Sequence, residues 1–177
     1  MSEDESILNV QNLKKYFSTT QGIVKAVDDV SFSVKYGETF GLVGESGSGK
    51  STTAYVVIGI YEPSSGAIYF KRHKITTGVK RRPEEIKKEL QIVFQDPGSS
   101  LNPRKNIRQI LELPLRVHGL VKGESTEKIV ELLNMVELPP EYLDRYPREI
   151  GGGEKQMVAI ARALATNPSF VILDEPT

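Results

Sequence analysis

The 177-residue chain contains no cysteine and no tryptophan, and its charges cancel, with 23 Lys plus Arg against 23 Asp plus Glu. Without cysteine there is neither a disulfide framework nor a thiolate metal site, which suits a reducing compartment. The zero net charge removes any whole-chain attraction for nucleic acid or an anionic membrane. We therefore expect no nucleic-acid partner, and any membrane contact would be local.

Long apolar segments are missing as well. No run of 18 apolar residues occurs, and the N-terminus MSEDES is acidic where a signal peptide is basic, so neither export nor membrane spanning is supported. The chain is 38% hydrophobic and 26% charged, without an excess of proline, serine or glutamine. This composition argues against wholesale disorder, and the length favours one domain with at most a small insertion.

The hydrophobic pattern predicts an α/β chain. Strands are recognised by period-two alternation or short apolar runs, the first two as an antiparallel pair. The predicted strands cover residues 7–13, 23–36, 39–43, 67–70, 90–94 and 170–173. Residues 39–43, 90–94 and 170–173 are expected to be buried, and a strand pair is expected to flank the turn at 63–66. The basic stretch 71–88 is interpreted as a solvated loop.

Apolar residues spaced by three and four predict helices elsewhere. One helix is expected at 50–60, and two or three lie between 107 and 146, broken near Pro114 and at Pro139 and Pro140. A further helix carries an apolar stripe from Met157 to Leu164. The middle third of the chain is therefore predicted to be a helical insertion.

Residues 44–51, Gly-Glu-Ser-Gly-Ser-Gly-Lys-Ser, fit G-x-x-x-x-G-K-[ST] between a predicted strand and a predicted helix. Glycines let successive N–H groups point at phosphate oxygens, and the helix adds its positive end. Lys50 suits the β- and γ-phosphates, and the Ser51 hydroxyl suits Mg²⁺. The alternative, a glycine-rich turn with an incidental lysine, would match by accident in roughly one chain in a hundred. The candidate phosphate-binding residues are Gly44, Glu45, Ser46, Gly47, Ser48, Gly49, Lys50, Ser51 and Thr52.

Two acids, Asp174 and Glu175, directly follow the apolar run at 170–173. In a parallel sheet, ligands gather at the carboxyl ends of the strands. Asp174 is the candidate Mg²⁺ ligand. Glu175 is the candidate group that orients or deprotonates an attacking water in phosphoryl transfer. A plain polar turn is the alternative.

Three consecutive glycines, Gly151, Gly152 and Gly153, open the last predicted helix. Its first N–H groups are expected to be unobstructed by side chains. By the same physics as the first loop, they predict a second anion site. The chain could then bind two anions, or present each site to a different half of a dimer. A flexible hinge stays open as the alternative.

These signals, in this order, resemble the nucleotide-binding subunits of ABC transporters, from Ile7 to Thr177. Residues 44–51 match Walker A and residues 170–175 match Walker B. Gln95 matches the Q-loop glutamine, and residues 150–154 lie where the signature Leu-Ser-Gly-Gly-Gln does. The stretches VKAVDDVSFSVKYGETFGLVGESGSGKST and IVFQDPGSSLNPR are similar to the oligopeptide, dipeptide and nickel importer branch.

The resemblance implies a P-loop NTPase fold of the ABC type. This is an α/β fold with a mostly parallel sheet, an N-terminal antiparallel β subdomain and a helical subdomain insertion. The single, C-terminally incomplete domain would span 1–177, with its core at 1–98 and 148–177 and the helical subdomain at 99–147.

The resemblance also implies an ATPase that couples ATP binding and hydrolysis to the import of a solute, of the peptide type, with ATP and Mg²⁺ as cofactors. Lys50, Gln95 and Glu175 would be catalytic. The metal would be held by Ser51, Gln95 and Asp174. Phe17, with Tyr16 as the alternative, would stack on adenine, and a packed aromatic residue of the hairpin is the other interpretation of Phe17.

Partners follow from the same resemblance. ATP would lie between Walker A of one subunit and Gly151, Gly152, Gly153 and Glu154 of a second ABC ATPase subunit, in a homodimer or a heterodimer. Transmembrane permease subunits would dock on the helical subdomain and the Gln95 region. The protein would then be cytoplasmic and peripheral on the inner face of the cell membrane.

The signature departs from the family pattern. Gly151 replaces the serine whose hydroxyl would reach the partner's γ-phosphate. Losing that one charge-assisted hydrogen bond would lower the stability of the nucleotide-bridged dimer by on the order of 1.5–3 kcal/mol. Glu154 replaces the glutamine and brings a negative charge near phosphate, partly offset by the helix terminus. Met157 stands where this branch has arginine. The sequence thus predicts a recognisable but weakened signature.

The chain ends at Thr177, whereas in the family a D-loop, a further central strand and a switch histidine follow Walker B. His73 and His118 precede Walker B, so they are interpreted as surface or loop residues. We therefore expect nucleotide binding without efficient turnover. We also expect an apolar sheet edge where further strands would pair.

Three other functions stay open. A degenerate ABC domain that regulates or binds partners without efficient hydrolysis is favoured by Gly151, Met157 and the missing tail. A soluble ABC protein acting on nucleic acid or ribosomes would use the basic stretch 71–88, and the neutral total charge disfavours it. A small-molecule P-loop kinase would leave Gln95 and the triple glycine without a role.

Overall fold

The computed structural model describes residues 6–121, 123 and 125–175, in two compact units, Met1–Ile86 and Lys87–Thr177. The first unit contains β1 (Ser6–Thr19), β2 (Gly22–Lys35), α1 (Lys50–Ile58), β3 (Ser65–Phe70), β4 (His73–Lys74) and a 3-10 turn (Val79–Arg81). Helix α2 (Glu84–Glu89) runs across the boundary. The second unit contains β5 (Leu90–Val93), α3 (Pro97–Ser100), α4 (Ile107–Val117), α5 (Thr126–Met135), two 3-10 turns (Pro140–Asp144 and Pro147–Glu149), α6 (Gly152–Leu164) and β6 (Phe170–Leu173).

The first unit is built on an antiparallel sheet with the order β2-β1-β3-β4. The predicted pairing of the first two strands is confirmed, with Thr19 opposite Gly22 at the turn. Side chains on one face of β1 and β3 form the core, because strand residues alternate between faces. The most buried of them include Leu8, Val10, Leu13, Ile68 and Phe70.

Two strand predictions in the first unit are wrong. Residues 39–43 form no strand, and Phe40, Leu42 and Val43 are 42%, 42% and 93% exposed. A buried strand requires neighbours that satisfy its backbone N–H and C=O groups. No described strand of the first unit pairs with this segment, and Phe40 stacks on Phe32 with ring centroids 5.1 Å apart. The strand expected before Pro63 is also absent, because β3 pairs with β1.

The basic stretch 71–88 is more ordered than a solvated loop. It contains β4, a 3-10 turn and most of α2. Several of its cations are exposed, as predicted, but Arg82 is only 5% exposed. The charge composition of the segment predicts its exposed cations correctly, but it does not predict the burial of the Arg82 guanidinium.

The second unit joins a parallel strand pair to packed helices. In that pair, Leu90 lies opposite Phe170 and Val93 opposite Leu173. Strand β6 is half-buried, and Leu173 is exposed, so the prediction of a fully buried last strand is wrong. Two paired strands leave one side of β6 without the neighbour that a central strand has.

Helices α4, α5 and α6 surround the core of the second unit, as the spacing of apolar residues predicts. Pro114 does not break α4, because a proline removes only one helical N–H and the helix ends three residues later. On α6, Met157 is exposed, while Val158 and Ala161 are buried. Within the described ranges, no helix combines the length and apolar character needed to cross a membrane. The division into a core and a helical subdomain stays a prediction.

Candidate functional site

The phosphate-loop candidate, residues 44–51, leads directly into α1 in the first unit. Gly47 and Gly49 have φ angles of +80° and +93°, where a side chain is strained. A Cβ on Gly49 would lie 2.1 Å from the carbonyl oxygen of Ala26, so the loop packs against β2 without room for any side chain. Glycine is therefore required here by both conformation and space.

The side chain of Lys50 folds back over this loop. Its Nζ donates to the carbonyl oxygens of Gly44 and Glu45, each at 2.9 Å. The first turn of α1 carries no acidic residue, and Thr53 Oγ1 donates back to the Gly49 carbonyl at 2.9 Å. The loop thus combines a cation that donates to neutral carbonyls with a helix start whose first turn carries no acidic residue, which suits an incoming anion.

The two candidate aromatic residues have different neighbours. Phe17 meets Tyr61 edge to face with centroids 5.2 Å apart, and Lys15 Nζ lies 4.7 Å from the Phe17 ring centroid. The hydroxyl of Tyr16 donates to the carboxylate of Asp28. That bond raises the pKa of Tyr16 and lowers the pKa of Asp28. Tyr16 is therefore engaged with an acid, whereas Phe17 belongs to an aromatic cluster.

In the second unit, Gln95 and the two acids come together at the carboxyl ends of β5 and β6. Gln95 Nε2 donates to Glu175 Oε2 at 2.6 Å. The backbone N–H of Asp174 donates to the carbonyl of Val93 at 3.0 Å, and Asp174 is 5% exposed. Parallel pairing thus brings Glu175 within hydrogen-bond reach of a residue 80 positions earlier in the chain.

The candidate metal ligands all offer oxygen atoms. Ser51, Gln95 and Asp174 offer a hydroxyl, an amide oxygen and a carboxylate. These are hard oxygen donors, and protein Mg²⁺ sites commonly use one or two carboxylates together with water and substrate phosphates. In the part of the chain that the structure describes, no group of three His, Cys, Asp or Glu residues forms a metal cluster. Each of these groups, Ser51 in the first unit and Gln95 and Asp174 in the second, is thus a donor of the kind that Mg²⁺ prefers.

The triple glycine opens α6, with Gly151 as its N-cap residue. The expectation that its N–H groups are unobstructed is wrong. Glu154 Oε2 accepts from the Gly151 N–H at 2.5 Å, and its other oxygen accepts from the hydroxyl of Tyr142. These bonds, the one from Tyr142 foremost, lower the pKa of Glu154. This helix terminus therefore carries its own carboxylate.

Three residues that make long-range contacts lie outside all of the sequence motifs: Arg82, Tyr142 and Arg162. Arg162 on α6 donates to the carbonyl of Ser100 at 2.5 Å, so it holds the end of α3, the short helix after Gln95. Burial lowers the pKa of Arg162. A buried arginine that binds distant carbonyls leaves no local pattern in a sequence, so no signal in the printed chain marks these contacts.

Sequence comparisons give one family and close relatives. The family model described as ABC transporter matches residues 27–177. The chain is 45% identical over 184 residues to the oligopeptide transport ATP-binding protein AppF of Bacillus subtilis, covering 99% of this chain and 56% of that protein. It is 41% identical over 183 residues to the dipeptide transport ATP-binding protein DppF of Haemophilus influenzae, with the same coverage. The chain thus spans a little over half the length of these curated relatives.

Solved structures support the same fold. A dimeric ATP-binding cassette in a post-hydrolysis state bound to ADP and phosphate has a TM-score of 0.85 and 30% identity, covering 96% of this chain and 74% of that one. A nucleotide-free ATP-binding cassette from an ABC transporter has a TM-score of 0.76 and 30% identity, covering 97% and 70%. The P-loop fold expected from the sequence is confirmed.

Proposed function

The chain belongs to the ABC transporter family, and on this premise we propose that it is the ATP-binding part of a subunit that powers the import of peptide-type solutes. The observation that carries the proposal is the phosphate loop, with Gly49 packed on β2 and Lys50 donating to the carbonyls of Gly44 and Glu45. The relatives named for oligopeptide and dipeptide transport support the solute class and favour this role over a purely regulatory one.

In the first unit, Lys50 exchanges the carbonyls of Gly44 and Glu45 for phosphate oxygens, which are stronger partners because they are charged. The glycine-permitted turn directs backbone N–H groups at the same phosphates. Phe17 stacks on adenine. This interpretation is supported by its place in an aromatic cluster and by the engagement of Tyr16 with Asp28.

In the second unit, Glu175 orients the attacking water and accepts its proton. Gln95 holds the Glu175 carboxylate through its amide N–H. Asp174, Gln95 and Ser51 would offer the oxygens that hold Mg²⁺. Bound Mg²⁺ would neutralise negative charge that develops on the phosphates. The result is hydrolysis of ATP to ADP and phosphate.

The assembly is a dimer of ATP-binding subunits on the inner face of the cell membrane. Dimeric cassettes among the solved structures support the first point. Residues 151–154 then face the nucleotide of the partner subunit, and the helical segment with the Gln95 region docks on membrane permease subunits. Glu154 makes the contact with phosphate weaker than the contact that an uncharged side chain would give.

An equilibrium titration with Mg-ATP tests the proposal. Lys50→Ala removes a charged hydrogen-bond donor, so we expect affinity to fall roughly 10- to 150-fold. Lys74→Ala, which removes an exposed cation from β4 in the same unit, is the matched control and should bind like the unchanged chain. Equal affinities for the unchanged chain and Lys50→Ala would remove the phosphate loop from the proposal.

A further inference from the structure

The C-terminal end of α1 is fixed as firmly as its beginning. The helix has nine residues, with Lys50 and Ser51 in its first turn. It ends at Gly59, whose φ is +91° and whose N–H donates to the carbonyls of Tyr55 and Val56 at 3.1 Å. A helix this short is a rigid rod about 13 Å long, so displacement of its last turn displaces its first.

The guanidinium of Arg82 binds this helix end. Its Nη1 donates to the carbonyl of Val57 at 2.7 Å and its Nη2 to the carbonyl of Val56 at 3.4 Å. Its Nε donates to the carbonyl of Thr77 at 2.9 Å. Burial lowers the pKa of Arg82 to about 10, so the side chain is still a cation at neutral pH. One side chain thus joins the last carbonyls of α1 to the segment at 77–82.

The fit between the two parts is close. A Cβ on Gly59 would lie 2.8 Å from Cζ of Arg82, so the guanidinium occupies the space that glycine leaves. The N–H of Val79 donates to the Gly59 carbonyl at 2.8 Å. A second tie lies beside it, because Glu62 accepts from the N–H of Gly78 at 3.0 Å and from Arg81 at 2.5 Å. Segment 77–82 is therefore attached to the end of α1 at several points.

Stability alone does not account for a buried arginine here. A cation is favourable at a helix C-terminus, but burying a charge carries a desolvation penalty. A well-packed apolar side chain of similar volume is often at least as stabilising as a buried charge. The planar fork of Arg82 adds directed bonds to three named carbonyls, and directed bonds fix position more sharply than apolar packing does.

We propose that Arg82 is a positioning residue for nucleotide binding: by fixing the last turn of α1, it fixes Lys50 and Ser51 on the first turn of the same helix. Arg82 itself makes no contact with the nucleotide. The inference rests on the proposed function, since it assumes that residues 44–51 bind a nucleotide. It assigns a role to a residue of the basic stretch that no phosphate-loop motif contains.

Titration of the full 177-residue chain with Mg-ADP, alongside thermal unfolding, tests this role. Arg82→Met keeps most of the volume and loses the fork, and we expect affinity to fall about tenfold. Arg82→Lys keeps the charge and should recover part of the loss. Val34→Ala, at a buried site near the end of β2, is the control that lowers stability from a position outside both α1 and segment 77–82. It should keep the affinity of the unchanged chain while its unfolding temperature falls.

Two results would overturn the inference. One is wild-type affinity in Arg82→Met. The other is an affinity loss in Val34→Ala as large as that in Arg82→Met at a similar drop in unfolding temperature. If Arg82→Met does not fold, Arg82→Lys decides, since a positioning role requires it to bind measurably more weakly than the unchanged chain. Failure of the unchanged chain to bind Mg-ADP would overturn the proposed function and this inference with it.

Discussion

Helices α1 and α6 both have glycine as the N-cap residue, and their N-termini differ in the charged side chain that lies there. At α1, the ammonium of Lys50 rests on the carbonyls of Gly44 and Glu45. At α6, the carboxylate of Glu154 rests on the N–H of Gly151 and the hydroxyl of Tyr142. One glycine turn therefore holds its own cation, and the other holds its own anion.

The difference shows that glycines and a helix terminus do not by themselves make an open anion site. Both termini have a positive end, because the first N–H groups of a helix find no carbonyl partner within the helix itself. At α1, the ammonium of Lys50 adds to that field, whereas at α6 the carboxylate of Glu154, three residues after the cap, opposes it. A phosphate approaching Gly151 meets a carboxylate already bound there, so the sign of one side chain decides what each terminus accepts.

Alanine in place of a glycine at each start should separate the two termini most strongly. At Gly49 a side chain meets positive φ, which costs about 1–3 kcal/mol, and the Ala26 carbonyl at 2.1 Å adds a clash. Gly153 has nothing within 4 Å of its Cβ position, so Gly153→Ala should be neutral or up to about 1 kcal/mol stabilising. Urea unfolding measures both effects.

Titration of Gly49→Ala and Gly153→Ala with nucleotide extends the comparison from stability to affinity. Gly49→Ala should bind Mg-ATP at least roughly tenfold more weakly, and Gly153→Ala should bind as the unchanged chain does when both are monomeric. Unchanged stability and affinity in Gly49→Ala would show that neither quantity depends on the close packing of the loop on β2. The comparison between the two glycine turns would then lose its structural basis.

Features that depend on residues close together in the chain can be predicted from the sequence. The eight-residue phosphate loop and the start of α1 follow from a local pattern, and so does the β1–β2 hairpin, whose strands are joined by a short turn. Residues 39–43 were predicted as a buried strand because an apolar run carries no information about which strands are available to pair with it. Pro114 was predicted to end a helix that packing carries through to Val117.

Parts of the candidate site depend on distant residues and were missed for that reason. The negative charge at position 154 is evident from the sequence, but the position of that carboxylate also depends on Tyr142, which lies in a separate 3-10 turn. Arg82 was read as part of a solvated basic run, although its guanidinium is fixed by carbonyls 25 and 26 positions earlier. Composition reports the number of charges and not which of them become buried.

Glu154→Gln should make the N-terminus of α6 more like that of α1. The amide still accepts from the Gly151 N–H, but the negative charge is gone, so phosphate is no longer repelled. If residues 151–154 face the nucleotide of the partner subunit as proposed, we expect dimerisation in Mg-ATP to tighten roughly two- to fivefold. Analytical ultracentrifugation across a range of protein concentrations measures it.

Glu131→Gln is the control for that variant, because it removes an exposed acid from α5 in the same unit. It should leave the dimerisation constant unchanged. Equal tightening of the dimer by both variants would refute the idea that the Glu154 carboxylate repels phosphate at the start of α6, since the effect would then follow net charge. Weaker dimerisation in Glu154→Gln alone would show that the carboxylate supports the interface.

The pH dependence of stability is the smallest expected effect. The bond from Tyr142, the N–H of Gly151 and the nearby charge of Arg145 lower the pKa of Glu154 from 4.5. Because the folded-state pKa is depressed, the carboxylate stabilises the fold above pH 4.5, and this contribution is lost as the pH falls through the folded-state value. The free energy of unfolding should therefore drop more steeply in acid for the unchanged chain than for Glu154→Gln, as urea unfolding between about pH 6 and about pH 3 would show. Parallel curves would mean that the carboxylate gains nothing from the α6 terminus, and the contrast with Lys50 at α1 would then reduce to a difference in formal charge.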